Sequence, residues 1–147
     1  MNISIAVTDG EIAACYPVMR ELRPHIGEAE FVERIRKSEK SGYKLAYLSV
    51  GDEPVAVAGF RVGENLAWGR FLYVDDLVTS AHQRSQGYGT GLLVWIRAYA
   101  LEAGCAQLHL DSGMQRADAH RFYEREGLIK AGFHFSENLS PDPVTGG

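Results

Sequence analysis

The sequence is poor in cysteine. Its 147 residues include only Cys15 and Cys105, too few for the disulfide framework of a small secreted domain. Each has small or apolar neighbours along the chain, which indicates buried free thiols in a reducing compartment. Apolar residues make up 46% of the sequence, enough to fill a core without a disulfide or a metal to hold it together.

Long apolar runs and a strong excess of one charge are also absent. No stretch is long enough to span a bilayer, and the first residues lack the basic start and apolar run of a secretion signal. The formal net charge of -4 argues against a nucleic-acid reader, which usually carries a basic face. The five histidines are scattered without metal-ligand spacing. We therefore expect a cytoplasmic protein with no membrane, nucleic-acid or metal partner.

The chain length fits one domain. The spacing of apolar residues predicts alternating strands and helices. The predicted strands are 3–7, 43–50, 54–62, 68–79, 107–110 and 128–135, and the predicted helices are 11–22, 28–41, 85–103 and 115–125. This order predicts a single α/β sheet with helices on both faces, in one domain over residues 1–135. Residues 136–147, rich in Ser, Pro and Gly, are expected to form a flexible tail.

The sharpest local feature is the junction between the predicted strand 68–79 and the predicted helix 85–103. Gly87 and Gly89 stand where this helix opens, and glycine lets a backbone approach a ligand closely. The first turn of a helix offers unpaired N–H groups and the positive end of its dipole, which suit a pyrophosphate. Arg84 adds a cation beside it. A purely structural interpretation, in which the glycines only relieve crowding, stays open because the motif is short.

Two motifs in this order resemble those of the GNAT superfamily of acyl-CoA-dependent N-acetyltransferases. The first is Gln/Arg-x-x-Gly-x-Gly/Ala between a strand and a helix, here at residues 84–89. The second is a strand followed by a helix with Ala, Phe-Tyr and then Gly, here at residues 108–111 and 119–127. The order of elements also agrees from residue 3 to about 135. The resemblance implies a single mixed, mostly antiparallel sheet in a GNAT-like fold.

The resemblance also implies where the acyl donor, acetyl-CoA, binds. The backbone of Leu77, Val78 and Thr79 is implied to bond the pantetheine arm as an added strand, where the two central strands splay apart. The N–H groups of the following turn are implied to hold the pyrophosphate. That turn comprises Arg84, Ser85, Gln86, Gly87, Tyr88, Gly89 and Thr90. The chain departs from the superfamily at Thr79, where valine is common, at Ser85, where glycine is common, and at Arg116, where asparagine is common.

The reaction needs a proton acceptor. An alkyl amine has a pKa of about 10.4 and arrives protonated at neutral pH. The adjacent acids Asp75 and Asp76 are candidates for the base or for binding the ammonium group, although at most one should enter a cleft unless a bulge intervenes. The resemblance favours Asp75. A structural carboxylate, satisfied by an arginine or a backbone group, is an equally good interpretation.

The reaction also needs a proton donor for the leaving thiolate. Tyr123 matches the tyrosine that commonly has this role in the superfamily, so the resemblance implies that it is the general acid. Without the motif, an aromatic residue at helical spacing is more often part of a core.

We predict an N-acetyltransferase that moves an acetyl group from acetyl-CoA to a primary amine by direct attack in a ternary complex. The alternatives are a non-catalytic acyl-CoA sensor and an enzyme that acetylates protein lysines or N-termini. The acceptor, a small molecule or a peptide, is expected near residues 23–26, Trp68, Phe71 and Asp75. No metal is expected, and the resemblance allows a homodimer.

Overall fold

A computed structural model describes residues 2–112, 114 and 116–140. The chain divides into two compact units, Met1–Leu110 and Asp111–Gly147, and each is described by itself. Residues 141–147 of the predicted tail lie outside the described residues. Within the described part of the chain, no helix has both the length and the apolar character needed to cross a bilayer.

The first unit contains one five-stranded sheet with the strands in sequence order. The strands are β1 Asn2–Ile5, β2 Lys44–Val50, β3 Glu53–Asn65, β4 Gly69–Thr79 and β5 Gln107–Leu110. The first four pair antiparallel with their neighbours, and β5 pairs parallel with β4. The predicted mixed, mostly antiparallel sheet is confirmed.

Four helices accompany this sheet: α1 Asp9–Ala14, α2 Tyr16–Leu22, α3 Glu28–Glu39 and α4 Tyr88–Glu102. Thr8 starts α1 with a capping box, because its hydroxyl accepts from Glu11 N while the Glu11 carboxylate accepts from Thr8 N. The prediction of one helix over 11–22 was wrong. Pro17 has no N–H, and its ring would clash with the carbonyl of Ala13 inside a continuous helix, so the chain breaks at Cys15 and restarts with proline in the first turn.

Helices cover both faces of the sheet, as predicted. The apolar stripe of α4, including Leu92, Ile96 and Ala100, packs on one face against β2, β3 and β4. The other face packs against α1, α2 and α3 through a cluster that includes Ile12 and Phe31. Cys15 and Cys105 are buried free thiols, as the sequence indicated.

The second unit contains helix α5, Ala117–Arg125. The prediction of a strand over 128–135 was wrong, because within the described residues 128–140 form no strand. The apolar side chains Ile129, Phe133 and Phe135 are between 83% and 91% exposed. Strand propensity reports how well a side chain fits a pleated, half-buried surface. These three side chains are not packed against any such surface.

Candidate active site

Strand β4 carries a β-bulge opposite Gly59. Gly59 pairs with Asp76 and Phe60 pairs with Val74, which leaves Asp75 as the extra residue. A bulge interrupts the alternation of side chains between the two faces. Asp75 bonds to Arg61 and Asp76 bonds to Tyr43, and both partners lie on the side of the sheet that Gly59 faces. The bulge therefore brings both carboxylates onto one face, the one that carries α1, α2 and α3.

The Asp75 carboxylate is half-buried and pairs with Arg61. Arg61 Nε lies 3.0 Å from Asp75 Oδ2 and 3.3 Å from Oδ1, while the guanidinium carbon lies 4.9 Å from the centre of the Tyr73 ring. Burial raises the pKa of Asp75 above its usual 3.8, and Arg61 opposes that rise. A carboxylate with a raised pKa is a better proton acceptor than a free one.

The Asp76 carboxylate has partners at both of its oxygens. Arg23 Nε donates to Oδ1 at 2.8 Å, and the Tyr43 hydroxyl donates to Oδ2 at 2.8 Å. Arg23 also donates to the carbonyl of Asp75 at 3.0 Å. Burial, and then the negative charge of Asp76, raise the pKa of Tyr43 well above its usual value, so this tyrosine stays a donor. Asp76 therefore connects the bulge to Arg23 at the end of α2. Of the two acids, Asp75 has the more accessible carboxylate.

Strand β4 extends beyond its pairing with β5. The parallel register ends at Val74 and Leu110, whereas β4 continues to Thr79. Within the described residues, 75–79 therefore have no partner strand on this side. Ser80 N donates to Val55 O on β3, so by alternation Val78 also bonds towards β3. The open edge presents the N–H and C=O groups of Leu77 and Thr79.

The open edge is followed along the chain by the turn at residues 84–90. A short 3₁₀ helix, Ala81–Gln83, precedes this turn, and Glu21 Oε1 accepts from its first N–H at 2.9 Å. Ser85 has a left-handed φ of 68° and Gly87 has a φ of 80°. A β-carbon on Gly87 would meet nothing within 4 Å, so backbone conformation, and not crowding, calls for glycine there.

Helix α4 begins at Tyr88, three residues later than the sequence predicted, because the two left-handed residues cannot belong to it. Its N-cap residue is Gly87, which has no side chain to make a capping hydrogen bond. The N–H groups of Tyr88, Gly89 and Thr90 point out of the helix start, as they do in every α-helix. Arg84 and Gln86 are exposed in the turn. The geometry suits an anion at this end of the helix.

Tyr123 lies on α5 in the second unit. It is half-buried, and its ring centre lies 5.4 Å from that of Phe122. Burial raises the pKa of Tyr123, and the nearby charge of Arg116 opposes the rise. A raised pKa keeps the phenol protonated at neutral pH, which is the state a proton donor needs.

The described residues contain no cluster of three or more His, Cys, Asp or Glu that could hold a metal ion.

His109 stacks on Trp68 with the ring centres 3.4 Å apart. Burial lowers the pKa of His109, which favours its neutral form.

Sequence reasoning expected Arg23 near the acceptor, but it did not identify Arg23, Arg61 or Tyr43 as partners of the two acids. The one available signal was Arg61, a charged residue within the predominantly apolar run 55–62. Arg23 and Tyr43 lie 53 and 33 residues from Asp76 along the chain, so no local pattern connects them. Of the residues expected near the acceptor, Trp68 and Phe71 have ring centres 5.2 Å apart.

Comparison with protein families and curated proteins gives one consistent result. A family model described as "Acetyltransferase (GNAT) family" matches residues 8–128. The chain is 36% identical over 135 residues to the uncharacterized N-acetyltransferase YhdJ of Bacillus subtilis (strain 168), covering 91% of this chain and 92% of that protein. It is 38% identical over 66 residues to aminoalkylphosphonate N-acetyltransferase of Salmonella typhimurium (strain LT2), covering 45% and 43%.

Solved structures agree with this result at the level of the fold. AAC(6')-Iy, in complex with the bisubstrate analogue CoA-S-monomethyl-acetylneamine, superposes with a TM-score of 0.80 at 9% identity, covering 95% of this chain and 97% of that chain. An identity this low shows a common fold and leaves substrate and residue roles to be argued from the site.

Proposed function

This chain is an N-acetyltransferase of the acetyltransferase (GNAT) family, and we propose that it transfers the acetyl group of acetyl-CoA to a primary amine by direct attack in a ternary complex. One observation carries the proposal. The open edge of β4, from Asp75 to Thr79, is followed after one short 3₁₀ helix by a turn with two left-handed residues and by a helix whose N-cap is glycine. An extended amide chain that ends in a pyrophosphate has the shape and charge for this surface.

The donor is held mainly by backbone groups. Leu77 and Thr79 bond the amides of the pantetheine arm as an adjacent strand would. The N–H groups from Ser85 to Thr90 and the Arg84 side chain receive the pyrophosphate. Arg84 is exposed, so it contributes positive charge to the pyrophosphate site but does not define the shape of that site.

Asp75 and Tyr123 move the protons. Asp75 accepts a proton from the ammonium group of the acceptor, directly or through water, and the free amine attacks the thioester carbon. The Leu77 N–H donates to the oxyanion that develops. The carbon–sulfur bond then breaks, and the Tyr123 hydroxyl protonates the leaving thiolate. The new amide nitrogen gives its remaining extra proton, through water, to the Tyr123 phenolate, and Asp75 releases its proton to solvent. A small amine is the simplest acceptor, since the relative from Salmonella is named for aminoalkylphosphonates.

The test is release of free CoA from acetyl-CoA with a panel of amines, amino acids, aminophosphonates, polyamines and peptides. We expect turnover with at least one acceptor and an acetylated product by mass spectrometry. Tight binding of CoA with no turnover on the whole panel would favour a non-catalytic sensor instead.

A further inference from the structure

We propose that Arg61, beside Asp75, selects acceptor amines that also carry an acid group. This inference rests on the proposed function and names its substrate class. The acceptor's ammonium group pairs with Asp75 while its carboxylate or phosphonate pairs with Arg61. All the residues involved lie in the first unit, on strands β3, β4 and β5 and the connection between β3 and β4.

The Arg61 guanidinium has hydrogen-bond donors available for an acceptor molecule. Within the described part of the chain, only its Nε donates a hydrogen bond, and that bond goes to Asp75. Among these described residues the donors on its two Nη atoms have no hydrogen-bond partner, and the side chain is 43% exposed. Arginine presents its donors in a planar fork that matches a carboxylate or a phosphonate. The Tyr73 ring, 4.9 Å below, restricts the plane of that fork.

The balance of charge argues against a polyamine acceptor. Asp75 is neutralised by Arg61, and Asp76 is neutralised by Arg23. The four groups together carry no net charge, so a polycation finds no surplus of negative charge to attract it. A zwitterionic acceptor keeps the balance, because each of its charges meets the opposite member of the Arg61–Asp75 pair.

A wall of aromatic side chains, formed by Tyr73, His109, Trp68 and Phe71, lies beside this ion pair. Arg61, Tyr73 and His109 are neighbours across three strands. Trp68 stacks on His109, and the Phe71 ring packs edge-on to Trp68. Since burial favours neutral His109, the wall adds no competing charge. Its apolar rings suit the short carbon chain that would join the amine to the acid.

The test compares matched acceptors in the wild type, Arg61→Gln, Arg61→Lys and the control Arg34→Gln, which removes an exposed arginine from α3. The acceptors are β-alanine, 2-aminoethylphosphonate, the neutral β-alaninamide and spermidine. We expect the acid-bearing amines to be preferred over β-alaninamide in the wild type. Arg61→Gln should reduce that preference, measured as a ratio of kcat/KM values, by about 10- to 100-fold, the range for a lost charge-assisted hydrogen bond.

Comparing ratios between variants cancels the different basicities of the amines. Arg61→Lys should keep part of the preference, and Arg34→Gln should keep all of it. A wild type that prefers spermidine, or an unchanged ratio in Arg61→Gln, would overturn the inference. The kcat/KM values for β-alanine and 2-aminoethylphosphonate show whether a carboxylate or a phosphonate is the better acid group.

Turnover of no amine at all would sink the proposed function, and the inference would then be decided by binding. Calorimetric titration of β-alanine and 2-aminoethylphosphonate into the CoA complex supports the inference if binding occurs and is weakened in Arg61→Gln. Absent binding, or binding of equal strength in the two proteins, overturns it.

Discussion

The Tyr43 ring fills the space that a β-carbon on Gly59 would occupy, and this position carries the Tyr43 hydroxyl to 2.8 Å from Asp76 Oδ2. Gly59 also pairs with Asp76 at the bulge of β4. One glycine therefore allows the contact that, together with Arg23, uses both oxygens of Asp76. Asp75 is left as the more accessible of the two carboxylates.

We expect Gly59→Ala to destabilise the protein by about 1–3 kcal/mol, the usual cost of overpacking a filled site. The new methyl group would meet the Tyr43 ring and force it off the sheet. Urea denaturation measures the change. The control is Gly10→Ala in α1, where a β-carbon has only an ordinary contact at 3.9 Å and should stabilise by about 0.5–1 kcal/mol. Equal effects of the two substitutions would contradict the packing at Gly59.

Asp75→Asn and Asp76→Asn should differ in kind. Asp75→Asn should lower kcat by about 100-fold or more, as loss of a general base does, with stability retained because its partner Arg61 is partly exposed. Asp76→Asn should destabilise by about 1–3 kcal/mol, since it takes the charged acceptor from Arg23 and Tyr43. Steady-state kinetics and thermal unfolding separate the two effects. Full activity of Asp75→Asn would remove Asp75 from the mechanism.

The dependence of rate on pH should report Asp75. Because burial raises its pKa, wild-type kcat/KM should fall as the pH drops through a value above 3.8, and Asp75→Asn should lack that limb. A raised carboxyl pKa means that the folded state holds the proton more tightly than the unfolded state. Asp75 therefore costs stability above its folded pKa, and the cost disappears as the pH falls below the unfolded value. A limb retained in Asp75→Asn would point to another base.

Tyr123→Phe should lower kcat by about 100-fold, within the range for a lost general acid. Burial raises the pKa of Tyr123 above 10.0, so the wild-type rate should decline only at a pH above that value, as the phenol loses its proton. Tyr99→Phe is the matched control, because the Tyr99 ring packs on Phe60 within the core. Unchanged turnover of Tyr123→Phe would reject its role as the acid.

Gly87→Ala should cost about 1–2 kcal/mol, because a residue with a β-carbon is strained at a φ of 80°. It should also weaken CoA binding, measured by calorimetry, by disturbing the start of α4. Ser85→Gly should retain CoA binding, with stability within about 1 kcal/mol of the wild type, since relief of strain offsets the entropy of a new glycine. Gly91→Ala, inside α4 with ordinary contact to Leu48, is the control for helix propensity. Tighter CoA binding in Gly87→Ala would contradict the role of this turn.

The sequence by itself determined the local features of this protein. Four short-range patterns were sufficient to predict the family and the mixed, mostly antiparallel sheet. They are the apolar stripe of α4, the glycines at its start, the strand before it and the Phe122-Tyr123 pair. The glycine requirement at Gly87 is similarly local, since it follows from the backbone angle of one residue.

Tertiary structure alone decided the electrostatics of the site. Alternation along β4 predicts opposite faces for Asp75 and Asp76, and only the count of paired residues on β3 creates the bulge that places them together. Their partners Arg61, Tyr43 and Arg23 lie 14, 33 and 53 residues away along the chain. A strand over 128–135 failed for the same reason, because a strand exists only where another strand pairs with it. Propensity and periodicity describe neighbours along the chain, whereas a bulge, an ion pair and a strand partner are properties of residues that folding brings together.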